Sequence, residues 1–307
     1  MSDSDPEVIA LGRLVWETTA LFDALPTTLP ARARDWADLL QTAREVRFDG
    51  GGAAANVAAA LGRRGRRATF VGQVGDDPPG RTALEALAWA CVDARVRVLP
   101  GRSTPRTLRL KEAGTDRGTF VADRPEPTVP PLEPGEIPED VVAGARLLVL
   151  DRASRAGLAA AQRRGPGRTA LILQQAPRDR EARDRLAGLL PLLSLVQVRG
   201  DAAGELAPWL GMPAEAGAVV EALARRAEWA VVTLGPEGAV ACTRGGTPFV
   251  VDPVPPPIFL DSTGAGDAFF GRLVEGWLDG APLEEACARG ARAASDACGW
   301  LGARALS

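Results

Sequence analysis

The chain has 307 residues, 46% of them hydrophobic and 24% charged, and its 36 basic and 39 acidic side chains leave a net charge of -3. Those are globular values for one large or two smaller domains, with no charge excess that asks for nucleic acid or an anionic membrane. Histidine and tyrosine are absent and lysine occurs once, at Lys111, which excludes histidine catalysis, histidine metal ligation, a tyrosyl nucleophile and a lysine-bearing phosphate loop. Chemistry is left to carboxylates, hydroxyls, thiols, guanidinium groups and backbone amides. The cysteines at 91, 242, 287 and 298 lack metal-site spacing and read as small buried hydrophobes of a reducing compartment. The acidic start and the lack of an apolar run near ~18 residues point to the cytoplasm, with no membrane partner.

In chain order, a strand is expected at 8–11, followed by an irregular segment at 13–48 and a helix at 54–63. A strand at 68–71 and a helix at 81–90 follow. In segment 95–122, runs 107–111 and 118–122 flank a turn-rich stretch as a hairpin would. After a proline-rich loop at 125–138, strands at 147–150, 170–173, 195–198 and 230–234 alternate with helices at 154–164, 178–190 and 214–227. Short apolar runs feeding amphipathic helices describe a doubly wound, mostly parallel α/β sheet, and the two irregular segments suggest a small β-strand lid inserted in a single domain, 1–307.

The sharpest chemical signal is Asp261–Phe269, DSTGAGDAF, ahead of an amphipathic stretch to Leu278. Gly264, Ala265 and Gly266 allow a tight turn, and the helix that starts there aims free amides and its positive dipole end at a bound anion. Asp267 in the first turn is placed to take a proton from a hydroxyl beside a bound phosphate. A second signal is Gly51, Gly52 and Asn56 in GGAAAN, where glycines admit a ligand and an amide suits vicinal hydroxyls. A third, TLGPEG at 233–238, is a strand turning back through Gly235 and Gly238.

In this order and spacing the three pieces resemble the ribokinase family, the PfkB-type carbohydrate kinases, over nearly the whole chain. Gly51, Gly52, Asn56, Ala58, Gly65 and Gly75 fit its amino-terminal signature, continued by Gly80 and Asp93. The resemblance implies a ribokinase-like fold and transfer of phosphate from Mg-ATP to a hydroxymethyl group of a sugar or polyol, with a monovalent cation admissible and a homodimer through the lid allowed. It implies Asp267 as base, the amides of Gly264, Ala265, Gly266 and Asp267 as anion hole, and Gly51, Gly52 and Asn56 as substrate ligands. Thr233, Gly235, Gly238, Asp261 and Arg292 would lie by the nucleotide, and no metal ligand is assigned.

Several positions depart from the pattern. Glu17, counted from Gly12 and expected at the end of the first strand, stands where the family usually has an aspartate that grips sugar hydroxyls. Gln174, Gln175, Ala176, Pro177 and Arg178 replace an Asp-x-x-x-Arg stretch, and Arg199, Gly200, Asp201 and Ala202 replace the Asn-x-x-Glu that organises magnesium, with Asp201 or Glu205 as substitutes. Arg292 follows Ala291 where an Ala-Asn pair is common. These losses leave an alternative, a weak or inactive relative that binds nucleotide or phosphosugar as a regulator.

Overall fold

The computed structural model describes residues 6–25 and 33–303. Residues 26–32, part of the expected first lid segment, lie outside the described residues. Thirteen strands are formed among the described residues: β1 (Val8–Leu11), β2 (Val15–Phe22), β3 (Glu45–Gly51), β4 (Ala68–Gly75), β5 (Asp93–Leu99), β6 (Arg106–Glu112), β7 (Gly118–Asp123), β8 (Leu147–Leu150), β9 (Thr169–Leu173), β10 (Leu193–Arg199), β11 (Trp229–Thr233), β12 (Ala239–Thr243) and β13 (Phe249–Val251). Helices are α1 (Ala33–Gln41), α2 (Ala53–Arg63), α3 (Pro78–Trp89), α4 (Glu139–Gly144), α5 (Arg155–Arg164), α6 (Arg180–Leu189), α7 (Gly200–Leu210), α8 (Ala216–Ala224), α9 (Ala265–Asp279) and α10 (Leu283–Ala297).

A large sheet runs β13-β12-β11-β10-β9-β8-β1-β4-β5, parallel except where β12 and β13 return antiparallel at one edge. Its central strands are continuous apolar runs, fully buried in β1, β4, β8 and β9, as a sheet covered on both faces requires. One core joins the sheet to α2, α3, α9 and α10, and another joins its other face to α4 to α8. This is the doubly wound architecture. The chain builds outward from β1 to β4 and β5 on one side, then from β8 to β11 on the other, so its direction reverses between β1 and β8.

The second sheet has the order β3-β2-β6-β7. Its boundaries differ from the expected lid segments: residues 93–99 form β5, an edge strand in register with β4 from Thr69↔Asp93 to Gly75↔Leu99, and β3 continues past residue 48 to Gly51. Arg95 and Arg97 give β5 the charged alternation of an exposed strand, which is equally the signature of a half-covered edge. In β2 and β6 the alternate residues Ala20, Phe22, Leu108 and Leu110 pack with Trp36, Leu39 and Leu40 of α1. Glu17, Thr19, Thr107, Arg109 and Lys111 share the other face. That polar face turns toward the large sheet. Of the cysteines, Cys242 and Cys287 are buried as expected, whereas Cys91 is exposed and Cys298 half-buried, since both sit at helix ends rather than inside a strand or helix core. Among the described residues no helix is long and apolar enough to cross a membrane.

Candidate active site

Asp267 occupies the first turn of α9, above the carboxyl ends of β9 and β10. It is 4% exposed. Asn56 Nδ2, from α2, donates to Asp267 Oδ2 at 2.7 Å, and Gln174 Nε2, just past β9, donates to Oδ1 at 2.7 Å. Each carboxylate oxygen thus has one fixed donor and a lone pair left for a further proton. Burial pushes the Asp267 carboxyl up to about 7 and the nearby Glu17 carboxylate adds to the rise, against lowering by the Asn56 and Gln174 bonds and by Arg109. A carboxylate balanced there is charged enough to accept a proton and basic enough to keep it.

The turn before α9 is built to present amides. Gly264 has φ +83, and a Cβ there would lie 2.6 Å from the Ala303 carbonyl, so only glycine fits both the conformation and the space. Ala265 N donates back to Ser262 O at 3.2 Å, which removes that amide from the expected anion hole. The amides of Gly266 and Asp267 have no acceptor among the described residues, and free amides at a helix start suit an anion such as a nucleotide phosphate. Gly266 contributes its carbonyl as well, accepting from Gln197 Nε2 at 2.9 Å, while the buried Gln197 Oε1 has no partner. A Cβ on Gly266 would meet Gln197 at an ordinary 3.7 Å, so that glycine is not demanded by the fold itself.

Asp261 has a different place from the one expected. It is 0% exposed, its Oδ1 accepting from Thr263 N and Oγ1 at 3.0 and 2.7 Å and its Oδ2 from Gly302 N at 3.0 Å. It therefore shapes the turn rather than facing a nucleotide. Lys111, from the small sheet, completes its shell with an ion pair to Asp261 Oδ1 at 3.3 Å and a second to Asp116 at 3.3 Å. Ser262 Oγ donates to the same Asp116 at 2.5 Å. The β6–β7 hairpin is in this way fastened to the turn that carries the amides.

Glu17 lies within β2, on the polar face of the small sheet and not at the end of β1. It is 3% exposed and paired with Arg109 of β6. Gly51 makes room for it: a Cβ there would stand 2.4 Å from Glu17 Oε2. Gly52 starts α2 with φ +103, its α-carbon pressed so close to Arg13 that a Cβ would meet the Arg13 carbonyl at 2.1 Å. Two hydroxyls of this face, Thr19 Oγ1 and Thr107 Oγ1, are buried without partners. Glu17, Gly51, Gly52, Asn56 and Asp267 thus converge from four elements.

Thr233 ends β11, and Gly235 and Gly238 bound the turn into β12, at the carboxyl edge shared with Gln197 and Gly266. Arg292 is exposed on α10 and makes no hydrogen bond or ion pair to the turn among the described residues, the buried member of its pair being Ala291. Asp201 is spent on Arg199, whose hydrogen bonds hold its carboxyl below the usual range. Among the described residues no cluster of three or more acidic or sulfur ligands could cage a metal. Gln174 and Gln197 carry no sequence motif and were not legible as site residues. The broad depression lined by Arg146, Glu228, Trp229 and Trp277 lies at the amino ends of the parallel strands, remote from Asp267.

The pfkB family carbohydrate kinase model matches residues 20–307. A 2-dehydro-3-deoxygalactonokinase of Haloferax volcanii is 28% identical over 273 residues, 83% of this chain and 84% of that protein. A fructokinase of Klebsiella pneumoniae is 32% identical over 244 residues, covering 74% and 76%. The fold matches that of adenosine kinase from Sinorhizobium meliloti with a TM-score of 0.78 at 23% identity, over 99% of this chain and 97% of the other. A buried carboxylate at the start of a helix, free amides beside it and a small sheet closing over both are arranged here on a chain that belongs to the pfkB family of carbohydrate kinases, phosphotransferases with an alcohol group as acceptor.

Proposed function

We propose that the chain transfers the γ-phosphoryl group of ATP, the phosphate donor of this family, to a primary hydroxyl of a sugar or related polyol. One observation carries the reading: Asp267 is buried, balanced near neutrality, and placed beside amides that have no acceptor among the described residues. The acceptor hydroxyl donates to an Asp267 oxygen. As its oxygen attacks the γ-phosphorus, the proton passes to the carboxylate and the bond to the bridging oxygen breaks, releasing ADP. Negative charge on the transferring group meets the amides of Gly264, Gly266 and Asp267 and the helix dipole. A loose transition state needs positioning and charge neutralisation more than a strong base, which fits a chain without histidine.

Gly51, Gly52, Asn56 and the Glu17–Arg109 pair line the acceptor side, and Thr233, Gly235 and Gly238 the nucleotide side. With no cluster of three or more acidic or sulfur ligands among the described residues, magnesium is expected to enter on the nucleotide phosphates. The named sugar substrates of the Haloferax and Klebsiella relatives support a sugar acceptor. The regulator reading draws on Asp201 being tied to Arg199, but a pure binder would need the amides and not a carboxylate balanced near 7. ADP release measured over a panel of sugars, sugar acids, sugar phosphates and nucleosides, with Asp267→Asn as the blank, decides between them. Release with one acceptor and none in the blank is the expected result, and silence across the panel overturns the kinase.

A further inference from the structure

Three arginines gather where the large sheet reverses direction. Arg13 follows β1 and Arg152 follows β8, neighbouring parallel strands in register up to Leu11↔Leu150. Crevices outside the carboxyl ends of strands at such a reversal are where open α/β sheets hold their ligands. Asp151, buried between them, is the carboxylate that they share: its Oδ2 accepts from Arg13 N at 3.3 Å and its Oδ1 from Arg152 Nε at 2.9 Å. Gly12 is packed so tightly on this carboxylate that a Cβ would lie 2.6 Å from Asp151 Oδ2. Arg124, just past β7, brings a third positive charge close to Arg13.

The charges do not balance. Among the described residues the guanidinium groups of Arg13 and Arg124 make no ion pair with any carboxylate, so three cations face one anion that is already engaged. Arg13 is exposed to solvent, yet enough protein surrounds it that desolvation lowers its guanidinium to about 10, with Arg152 and Arg124 lowering it further and Asp151 opposing them. The cluster adjoins the acceptor side. Gly52 stands against the Arg13 carbonyl, and Asn56, one helical turn or about 6 Å further along α2, donates to Asp267.

We propose that the acceptor is an anionic sugar, whose carboxylate or phosphate is held by Arg13, Arg152 and Arg124 while its hydroxymethyl end reaches Asp267. Paired guanidinium forks match the geometry of either oxyanion, and an oxyanion supplies the counter-charge that the chain lacks. This names the substrate class for the kinase proposed above and rests on that reading.

The test uses the full chain with Mg-ATP and four acceptors: 2-keto-3-deoxygluconate and fructose 6-phosphate as the two anion sources, and ribose and fructose as neutral sugars. Turnover is followed by ADP release, and binding of each acceptor without ATP by calorimetry. An anionic acceptor should exceed both neutral sugars in kcat/KM by ~100-fold, and whichever of the two does so identifies the oxyanion. Arg13→Gln, which breaks no ion pair, should lower that preference ~10–100-fold, the size of a lost charged hydrogen bond, and Arg124→Gln should lower it less. The preference should weaken as salt rises. A neutral sugar preferred over both anions, or an Arg13→Gln preference equal to the parent's, overturns the anion site while leaving the kinase intact. If nothing turns over, the kinase reading fails and calorimetry alone decides the site: anionic sugars that bind the parent and not Arg13→Gln support it, and equal or absent binding refutes it.

Discussion

At the start of α9 the groups that face the cleft belong to the main chain, fixed by a turn that only glycine at 264 can make and by a buried Asp261. Across from it, on the small sheet, the facing groups are side chains, with Glu17 balanced by Arg109 and Lys111 by Asp261 and Asp116. Main-chain amides survive every substitution except proline, and in the proposed function they would make the same contacts to any phosphate. Charged side chains can be exchanged one at a time, so substrate preference can drift on the small sheet and around Arg13 without disturbing the transfer machinery. The division also explains why the large sheet has fully apolar central strands, whereas the small one buries Glu17, Thr18, Thr19 and Lys111 among few apolar residues.

The largest expected effect lies where the two halves meet. Asp267→Asn should lower turnover by ~10²–10⁴ while nucleotide affinity stays within about threefold, because the groups proposed to hold phosphate are amides. Its fold should survive, since Asn56 or Gln174 can reverse its amide to match the new NH₂ group. Parental turnover should rise with pH through about 7, as a base at Asp267, the role proposed for it, acts only without its proton. Stability should move the other way. The folded chain keeps a proton on Asp267 that the unfolded chain, with an ordinary value of 3.8, releases earlier, so stability falls as pH rises from about 4 to about 7. The variant lacks this loss, and thermal melts should show its advantage over the parent widening between pH 5 and pH 8. A flat difference would mean that Asp267 is not held near neutrality.

Gly264→Ala should cost ~1–3 kcal/mol of stability in denaturant titrations, through the positive φ and the Ala303 backbone, and should weaken ATP binding with it. Gly266→Ala sharpens the point, because its Cβ meets nothing of the chain closer than 3.7 Å. It should melt within about 2 °C of the parent and still lose ATP affinity if phosphate approaches that amide. Equal ATP binding by a folded Gly266→Ala would remove Gly266 from the anion hole.

Lys111→Met should raise the acceptor KM ~5–20-fold and change kcat less, since the hairpin that bears Arg109 loses its tie to the turn while Asp267 keeps its donors. Lys111→Arg should recover much of the loss. Uniform loss of kcat and stability in both variants would instead make Lys111 a structural prop. The smallest effect belongs to Asp201→Asn: an exposed carboxylate already paired with Arg199 should change turnover less than about threefold, and free magnesium beyond the ATP concentration should add little rate. Strong second-metal activation that vanishes in the variant would make Asp201 a ligand.

Legibility in the sequence followed the same division. Continuous apolar runs such as Val8–Leu11 and Leu147–Leu150 announce buried parallel strands, and the turn before Asp267 carries its chemistry in consecutive residues. The small sheet is harder to read, because its buried face is polar and β2 mixes Glu17 and Thr18 with Phe22. Its hairpin is visible through the turn-rich stretch at 112–117, but its limits are not, since β5 has the charged alternation of an exposed strand. Gln174 reads as a loss from a familiar pattern and Gln197 as one polar residue inside an apolar strand run, and only the packing of α9 over β9 and β10 gives them partners. Arg13 and Asp151 are 138 residues apart and become neighbours through one strand pairing.

Because Lys111 is the only lysine, the tie between hairpin and turn has its own spectroscopic address. Isotopically labelled lysine places a single side-chain ammonium in the protein, enclosed between Asp116 and Asp261 and largely shielded from water. Its resonance can be followed while acceptor and nucleotide are added separately, with no engineered label. A shift or a change in hydrogen exchange on acceptor binding alone would time the closing of the small sheet relative to phosphate capture, and amine-directed reagents would read the same event as protection of one residue.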